Sequence, residues 1–417
     1  MAITNIAVSN FKSFKDLDLD LRPFNVVIGA NASGKSNFVE IFRFLTTLEQ
    51  EDLDDAVSLH GGCESILNKK LGPSKLLRMR AVSDEEVTWS GYVDSDVSET
   101  AYEFSLQFRS PLNGVLIRDD HFMQKFRTNV AEKDAEVRLD ILMEEDKRKV
   151  EISPGDMVDR LKGKKSHSDY AAYLPTADEY IRSLSWFVGA TPLDVLLIHH
   201  ALFGFTHLWG SLFGCVGVYD IEPHEVKRPH EKAGRMSLEE NGENLALVLK
   251  NILADPEKSR KFHNLLGYML PFAREVGVEQ YLGTSLLLKL REEYHEDSLL
   301  ANLLSDGTVN IVALIVALFF GDKDVVVIEE PERNLHPHLI SGLVELMKDA
   351  SRNKQVIITT HSPEVVKHAG VENLLLISRD EGGFSTVSRP AEKEDVKVFL
   401  ENDLGLDAVF VQELWGR

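Results

Sequence analysis

Gly29-Ala30-Asn31-Ala32-Ser33-Gly34-Lys35-Ser36 fits the phosphate-loop spacing G-x-x-x-x-G-K-[ST]. Just before it, Phe24-Asn25-Val26-Val27-Ile28 reads as a buried strand. Just after it, Asn37 to Leu45 carries apolar residues at helical spacing. A strand–loop–helix setting separates a working phosphate loop from a chance glycine turn. The glycines let successive N–H groups turn inward as an anion nest, and the following helix adds its positive N-terminal end. Lys35 then reaches the β- and γ-phosphates, and the Ser36 hydroxyl ligates Mg²⁺.

The chain has 417 residues, with 43% hydrophobic and 27% charged residues. This is the composition of a globular protein, not a disordered one. No secretory leader is legible in Met1 to Lys12. The two cysteines, Cys63 and Cys215, lie far apart and without metal-ligand spacing. That excludes a disulfide framework or zinc site and fits a cytoplasmic protein. A net charge of −21 does not describe a general nucleic-acid binder, which needs clustered Lys and Arg. A local exception is the acid-free stretch Lys69, Lys70, Lys75, Arg78 and Arg80, either a solvated face or a DNA contact. Lys162, Lys164 and Lys165 form a weaker cluster. Val188 to Val218 is long and apolar, yet Asp194, His199, His200, His207 and recurring glycines interrupt it. Buried helices and a strand at Cys215–Tyr219 are expected there, not a membrane span.

Along the chain, residues 1 to about 75 read as an α/β block, with alternating Leu17, Leu19 and Leu21 on a second strand. The acidic run Glu49 to Asp55 reads as a solvated loop. Residues 76–110 alternate like antiparallel strands. Residues 111–235 are mixed in period, and residues 234–282 look helical. From about 283 onward strands and helices alternate again. Ile311–Phe320 and Leu339–Ala350 are expected helices; Val325–Ile328, Gln355–Thr360 and Asn373–Ser378 are expected strands.

Three later features narrow the chemistry. The strand Val325–Ile328 ends in Glu329-Glu330-Pro331-Glu332. Carboxylates at the C-terminal edge of a parallel strand are placed to meet Mg²⁺ and water: Glu329 holds the metal and Glu330 polarises the attacking water. Thr359-Thr360-His361-Ser362-Pro363 ends the next strand, and His361 there can contact the γ-phosphate. Leu304-Ser305-Asp306-Gly307-Thr308 precedes the apolar helix. Taken alone it is an N-cap; in this order it is also an anion site without a lysine.

The order resembles the ABC-type ATPases, more narrowly the RecF/SMC/OLD-like AAA group. It is carried by Asn10-Phe11-Lys12-Ser13-Phe14, Gly29 to Asn37, Leu304 to Thr308, Glu329 to Pro337 and Thr359 to Pro363. The Glu-Glu-Pro-Glu run with Asn334-Leu335-His336-Pro337 looks most like stand-alone OLD-like ATPases. The resemblance implies an α/β, ABC-type fold: a mixed β-sheet core flanked by helices, N-terminal antiparallel strands and a mainly helical insertion. Residues 1–110 and 283–417 are the expected ATPase domain, and 111–282 the insertion.

It further implies ATP and Mg²⁺ as cofactors. Phe11, Lys12 and Ser13 are expected near adenine and ribose, and Asn31 at the γ-phosphate. Ser33, Gly34 and Asn37 complete the loop's contacts. Ser305 and Gly307 are expected to bind the γ-phosphate held by a second protomer, with Arg333 and Asn334 crossing the same interface, hence a homodimer. Asp306 and Thr308 depart from the group's usual signature, and Glu329 replaces the commoner Asp. The glutamine usual between first helix and insertion is not identifiable. The roles this leaves open are a phage-defence scaffold for a separate effector, nuclease or toxin, and an ATPase acting directly on DNA. A membrane transporter subunit fits the N-terminal motif poorly. The stretch beyond His361 is shorter than an ordinary domain of about 100 residues, so an effector is expected on another chain.

Overall fold

The computed structural model describes residues 2–84, 87–90, 94–109, 114–130, 133–144, 147–153, 188–189, 193–199 and 213–392. In chain order the first elements are β1 (Ala2–Phe11), β2 (Phe14–Asp20), β3 (Phe24–Ile28), α1 (Lys35–Gln50), α2 (Leu53–Leu59) and α3 (Cys63–Ile66). Then come β4 (Leu77–Asp84), β5 (Val87–Ser90), β6 (Asp94–Phe108), β7 (Val115–Val130), β8 (Lys133–Glu144) and β9 (Lys147–Ser153). The next group is β10 (Val216–Tyr219), α4 (Pro223–Val226), β11 (His230–Glu231), α5 (Leu245–Ala254), α6 (Pro256–Met269), β12 (Ala273–Tyr281), β13 (Ser285–Glu292) and β14 (Leu299–Leu300). The last are α7 (Asp306–Phe319), β15 (Val325–Glu329), α8 (Pro337–Ala350), β16 (Gln355–Thr359), α9 (Pro363–Ala369), β17 (Leu374–Arg379) and β18 (Ser385–Ser388).

Contacts gather these elements into two compact units. One comprises Met1–Leu21, Arg43–Gly214 and Arg379–Thr386. Its strands run β2-β1-β4-β6-β7-β8-β9, all antiparallel. The period-2 pattern explains them: on β2, Leu17 and Leu19 are buried while Asp16, Asp18 and Asp20 face water. The register sets Arg80 directly between Ala7 and Glu103, so this part of the basic stretch has an acid as its cross-strand neighbour.

One buried carboxylate in this unit is held by several partners. Arg148 and Asp120 form a 2.7 Å ion pair with both side chains fully buried. Tyr102 donates to Asp120 at 2.8 Å, and the Leu197 N–H donates at 2.9 Å. Burial raises the Asp120 carboxyl, opposed by the Arg148 charge.

The other unit comprises Arg22–Phe42, Cys215–Ser378 and Val387–Arg417. Its strands run β10-β15-β16-β3-β17, all parallel. A parallel sheet covered on both faces reads as continuous apolar runs, as Val325–Ile328 and Gln355–Thr359 do. Beside it, α7 is buried from Thr308 to Leu318. Each Leu, Ile or Val so buried contributes about 1.5–3 kcal/mol. A small antiparallel sheet, β11-β13-β12, with β14 on β13, completes the unit. Together these elements make the mixed α/β fold expected from the motifs.

Three expectations are corrected. Residues 115–130, 133–144 and 147–153, assigned to a mainly helical insertion, are the long strands β7, β8 and β9. Val137, Leu139 and Ile141 are buried while Glu136 and Arg138 are exposed, but the dense charges hid that alternation. Residues 234–282 are helical only through Met269; β12 then pairs with β13. The acidic run is no loop: α1 continues to Gln50, and Asp52 caps α2 by accepting the Asp55 N–H at 2.9 Å. Carboxylates are favoured at that helix end.

The strand at Cys215–Tyr219 is present as β10. Lys162, Lys164, Lys165, His200 and His207 lie outside the described residues. Among the described residues no helix is long and apolar enough to cross a membrane.

Candidate functional site

The parallel sheet places its motifs along one edge. Register pairs Glu329 with Thr359 and Thr359 with Val27. The strand-end segments 329–335, 359–362 and 29–36 therefore leave neighbouring strands on the same side. In open α/β sheets this carboxyl edge is where ligands bind.

The phosphate loop leaves β3 at Gly29. A Cβ on Gly29 would sit 2.4 Å from the Ile377 carbonyl and 2.6 Å from Ser33 Oγ, so only glycine fits. Gly34 holds φ 120° and Ala32 φ 62°, both in the left-handed half of the map. The Ser33 N–H bonds to Ala30 O at 3.1 Å, and α1 begins at Lys35. Lys35 is 7% exposed; its Nζ donates to Gly29 O at 2.8 Å and Ala30 O at 3.1 Å. Asn31 and Ser36 are exposed and Asn37 half-buried. A glycine that admits no side chain, a buried ammonium and the N-terminus of a 16-residue helix make a cradle that fits a polyphosphate. The Ser36 hydroxyl and Glu329 carboxylate are hard oxygen donors suited to Mg²⁺.

Glu330 follows the last residue of β15 at φ 43°. That left-handed turn breaks the strand's alternation. Glu330 Oε1 lies 3.6 Å from His361 Nε2. Its other oxygen is 3.5 Å from Arg333 Nε, and Arg333 donates to Asp220 Oδ1 at 2.9 Å. Lys35, Glu330 and His361 sense one another. Burial lowers the Lys35 ammonium and Glu330 opposes it. Burial also lowers the His361 imidazole below its ordinary 6.5, aided by Lys35 and opposed by Glu330. His361 is therefore mainly neutral at pH 7 and can accept or share a proton.

Ser305 caps α7: its Oγ accepts the Thr308 N–H at 3.1 Å and meets Thr308 Oγ1 at 2.8 Å. A Cβ on Gly307 would lie 2.6 Å from Asn334 O, so the glycine permits a close approach. Asn334 itself holds φ 65°. Asp306, which departs from the usual signature, is ion-paired with Lys227. Arg333, expected across a dimer interface, pairs within the chain.

Phe11, Lys12 and Ser13 belong to the antiparallel unit. Phe11 is fully buried, stacked 5.9 Å from Phe44. Asn10 and Lys12 hold φ 59° and 46°. Ser13 Oγ accepts from Ser385 Oγ at 2.8 Å. Of the six described non-glycine residues with positive φ, five fall in the motif segments: Asn10, Lys12, Ala32, Glu330 and Asn334. Backbone held in such regions clusters at functional sites.

Sequence reasoning passed over Asp220, Lys227, Glu332 and Thr360. Asp220 had a usable signal, since it follows a buried strand end in the same way as Glu330. Tyr219 pairs with Ile328, which brings Asp220 level with Glu329. Lys227 had none, because its partner lies 79 positions away.

Residues 24–367 match a family described as "AAA domain, putative AbiEii toxin, Type IV TA system". The chain belongs to this AAA_21 family. This family agrees with the ABC-type ATPase resemblance carried by the motifs. Protein ea59 of Escherichia phage lambda is 33% identical over 84 residues, 20% of this chain and 15% of that protein. Uncharacterized protein MJECL43 of Methanocaldococcus jannaschii is 24% identical over 96 residues, 22% of this chain and 25% of that protein. The matches thus span a quarter or less of these curated relatives. Among solved structures, an SMC head bound to the C-terminal winged-helix domain of ScpA has TM-score 0.49 at 14% identity, covering 93% of this chain and 98% of the other. The SMC head domain of Thermotoga maritima has TM-score 0.44 at 13% identity, covering 93% and 99%.

Proposed function

We propose that the protein binds and hydrolyses ATP and uses the cycle to switch between open and dimeric states. The observation that carries this reading is the convergence of the buried Lys35 with the half-exposed Glu330 and His361, the latter two 3.6 Å apart. Gly29, Asn31, Ser33, Gly34, Lys35 and Asn37 hold the triphosphate, and Ser36 and Glu329 hold Mg²⁺. The bound metal supplies charge neutralisation on the phosphates. Glu330 orients water and takes its proton, and neutral His361 positions the same water. Lys35 stabilises charge developing on the phosphate oxygens. Phe11, expected near the adenine, is fully buried beside Phe44, and Ser13 is hydrogen-bonded to Ser385, so neither is assigned a contact with base or ribose.

Ser305, Gly307 and Asn334 complete the site of a second copy. Two observations support that role. The α7 N-terminus presents Ser305 exposed, and Lys227 neutralises Asp306, so the acid does not repel phosphate. In this reading the ATPase domain draws on both ends of the chain, and β10 (Val216–Tyr219) joins its parallel sheet from within the residues 111–282 expected to be an insertion.

The biological role we favour is cellular defence against phage, with the ATPase as sensor and scaffold for a separate nuclease or toxin. Its support is the family's toxin–antitoxin description. Direct action on DNA is the weaker reading, because Arg80 of the basic stretch has Glu103 as its cross-strand neighbour. The test is phosphate release by wild type and Glu330→Gln, with mass measured by light scattering with and without ATP. Wild-type turnover and ATP-dependent doubling of mass in Glu330→Gln support the mechanism. A Glu330→Gln protein that hydrolyses normally, or never changes mass, overturns it.

A further inference from the structure

We propose that Glu332 is a positioning residue for hydrolysis, its carboxylate fastening the turn that carries His361 to the turn that carries Glu330. This rests on the ATPase reading above and names what sets the spacing of its two central side chains. Thr360 Oγ1 accepts the Ser362 N–H at 2.9 Å, so its own proton is free to go to Glu332 Oε1, with which it is hydrogen-bonded. The nearby His361 backbone favours the ionised form of the same carboxyl group. Thr360 is fully buried, and Glu332 Oε2 is also out of contact with water. The carboxyl group of Glu332 therefore holds the side chain of the residue directly before the histidine.

The far side of the Glu330 turn is held independently. Asn310 on α7 donates to Pro331 O at 3.1 Å and Arg333 O at 2.9 Å. The Glu330 N–H bonds to Thr359 O at 3.0 Å. Asn310 fixes where the turn sits on α7; Glu332 is the side chain that reaches the Thr360–His361 segment. The Glu330–His361 separation is thus set by the Glu330–Thr359 backbone bond together with the Glu332–Thr360 link, and not by direct side-chain contact, which at 3.6 Å is too long for a strong hydrogen bond.

Misplacement of a reacting pair by about 1 Å can cost about 100-fold in rate. Thr360→Val and Glu332→Leu remove the donor and the acceptor. Thr360→Ser and Glu332→Gln retain them. The first pair is expected to lose about 100-fold in kcat with ATP-analogue affinity and thermal midpoint retained; the second pair stays near wild type. Thr360→Val combined with Glu332→Leu is no worse than the poorer single variant, since both break one link. The His361 imidazole nitrogen resonances shift in Thr360→Val and not in Thr360→Ser.

Wild-type kcat in Thr360→Val and Glu332→Leu overturns the proposal. So does a parallel fall of kcat, affinity and thermal midpoint in all four variants, which marks a purely structural role. If Glu330→Gln turns over normally the base assignment fails instead, and the His361 resonances still report whether the link exists.

Discussion

The two units treat charge in opposite ways. In the antiparallel unit, Asp120 is fully buried and fully satisfied by Arg148, Tyr102 and Leu197, with contacts of 2.7 to 2.9 Å. In the parallel unit, Glu330 is half-exposed, sits on left-handed backbone and meets His361 and Arg333 only at 3.6 and 3.5 Å. The first arrangement turns no exposed oxygen towards a substrate. The second leaves each group able to take a new partner. A tight network holds a fold, whereas a loose one at a sheet edge is poised for chemistry.

The sharpest break of this contrast is kinetic. Glu330→Gln should lower ATP turnover by about 10³-fold, measured by phosphate release, while retaining nucleotide binding in a fluorescence titration. Arg148→Met should do the reverse. It strands Asp120 in the interior and should destabilise the fold by about 3 kcal/mol, read by urea unfolding, with ATP affinity of the folded fraction unchanged. If Arg148→Met instead lowers turnover at constant stability, the contrast fails.

Gly307→Ala tests the close approach to Asn334. Its methyl meets a carbonyl at 2.6 Å, and such overpacking costs about 1–3 kcal/mol. A lowered thermal midpoint and weaker ATP-dependent association by light scattering are expected.

The smallest effect concerns pH. Burial raises the Glu332 carboxyl above its ordinary 4.5, partly offset by Thr360. The folded state then holds the proton more tightly than the unfolded state, so this group's contribution falls as pH rises through the folded value. Glu332→Gln, which cannot ionise, should gain in thermal midpoint relative to wild type at pH 8. The gain should vanish as the buffer approaches pH 4.5, by calorimetry across the series. A gap that is constant with pH would show that burial does not act on this carboxyl.

Much of the parallel sheet was legible because its strands are short, apolar and followed at once by motif residues. Gly29 to Ser36, Glu329-Glu330 and Thr359 to His361 each sit where the pattern placed them, at strand ends. The antiparallel strands β7 to β9 were not legible. Their polar faces are crowded with charge, and Asp120, Asp140 and Arg148 are buried, so hydrophobicity alone misreports which face turns inward. The same blindness hid Asp52 as a helix cap.

By itself the sequence determined that a phosphate loop leaves a buried strand, and that carboxylates and a histidine end two others. Local spacing suffices there, because the loop is one contiguous segment and each strand end is set by its own apolar run. Only the tertiary structure decided that Asp306 is neutralised by Lys227 and that Arg333 lies between Asp220 and Glu330. It alone joined Glu332 to Thr360. These pairs cross 79, 113 and 28 positions. Charge acts through space, and parallel register, not chain distance, brings such groups together.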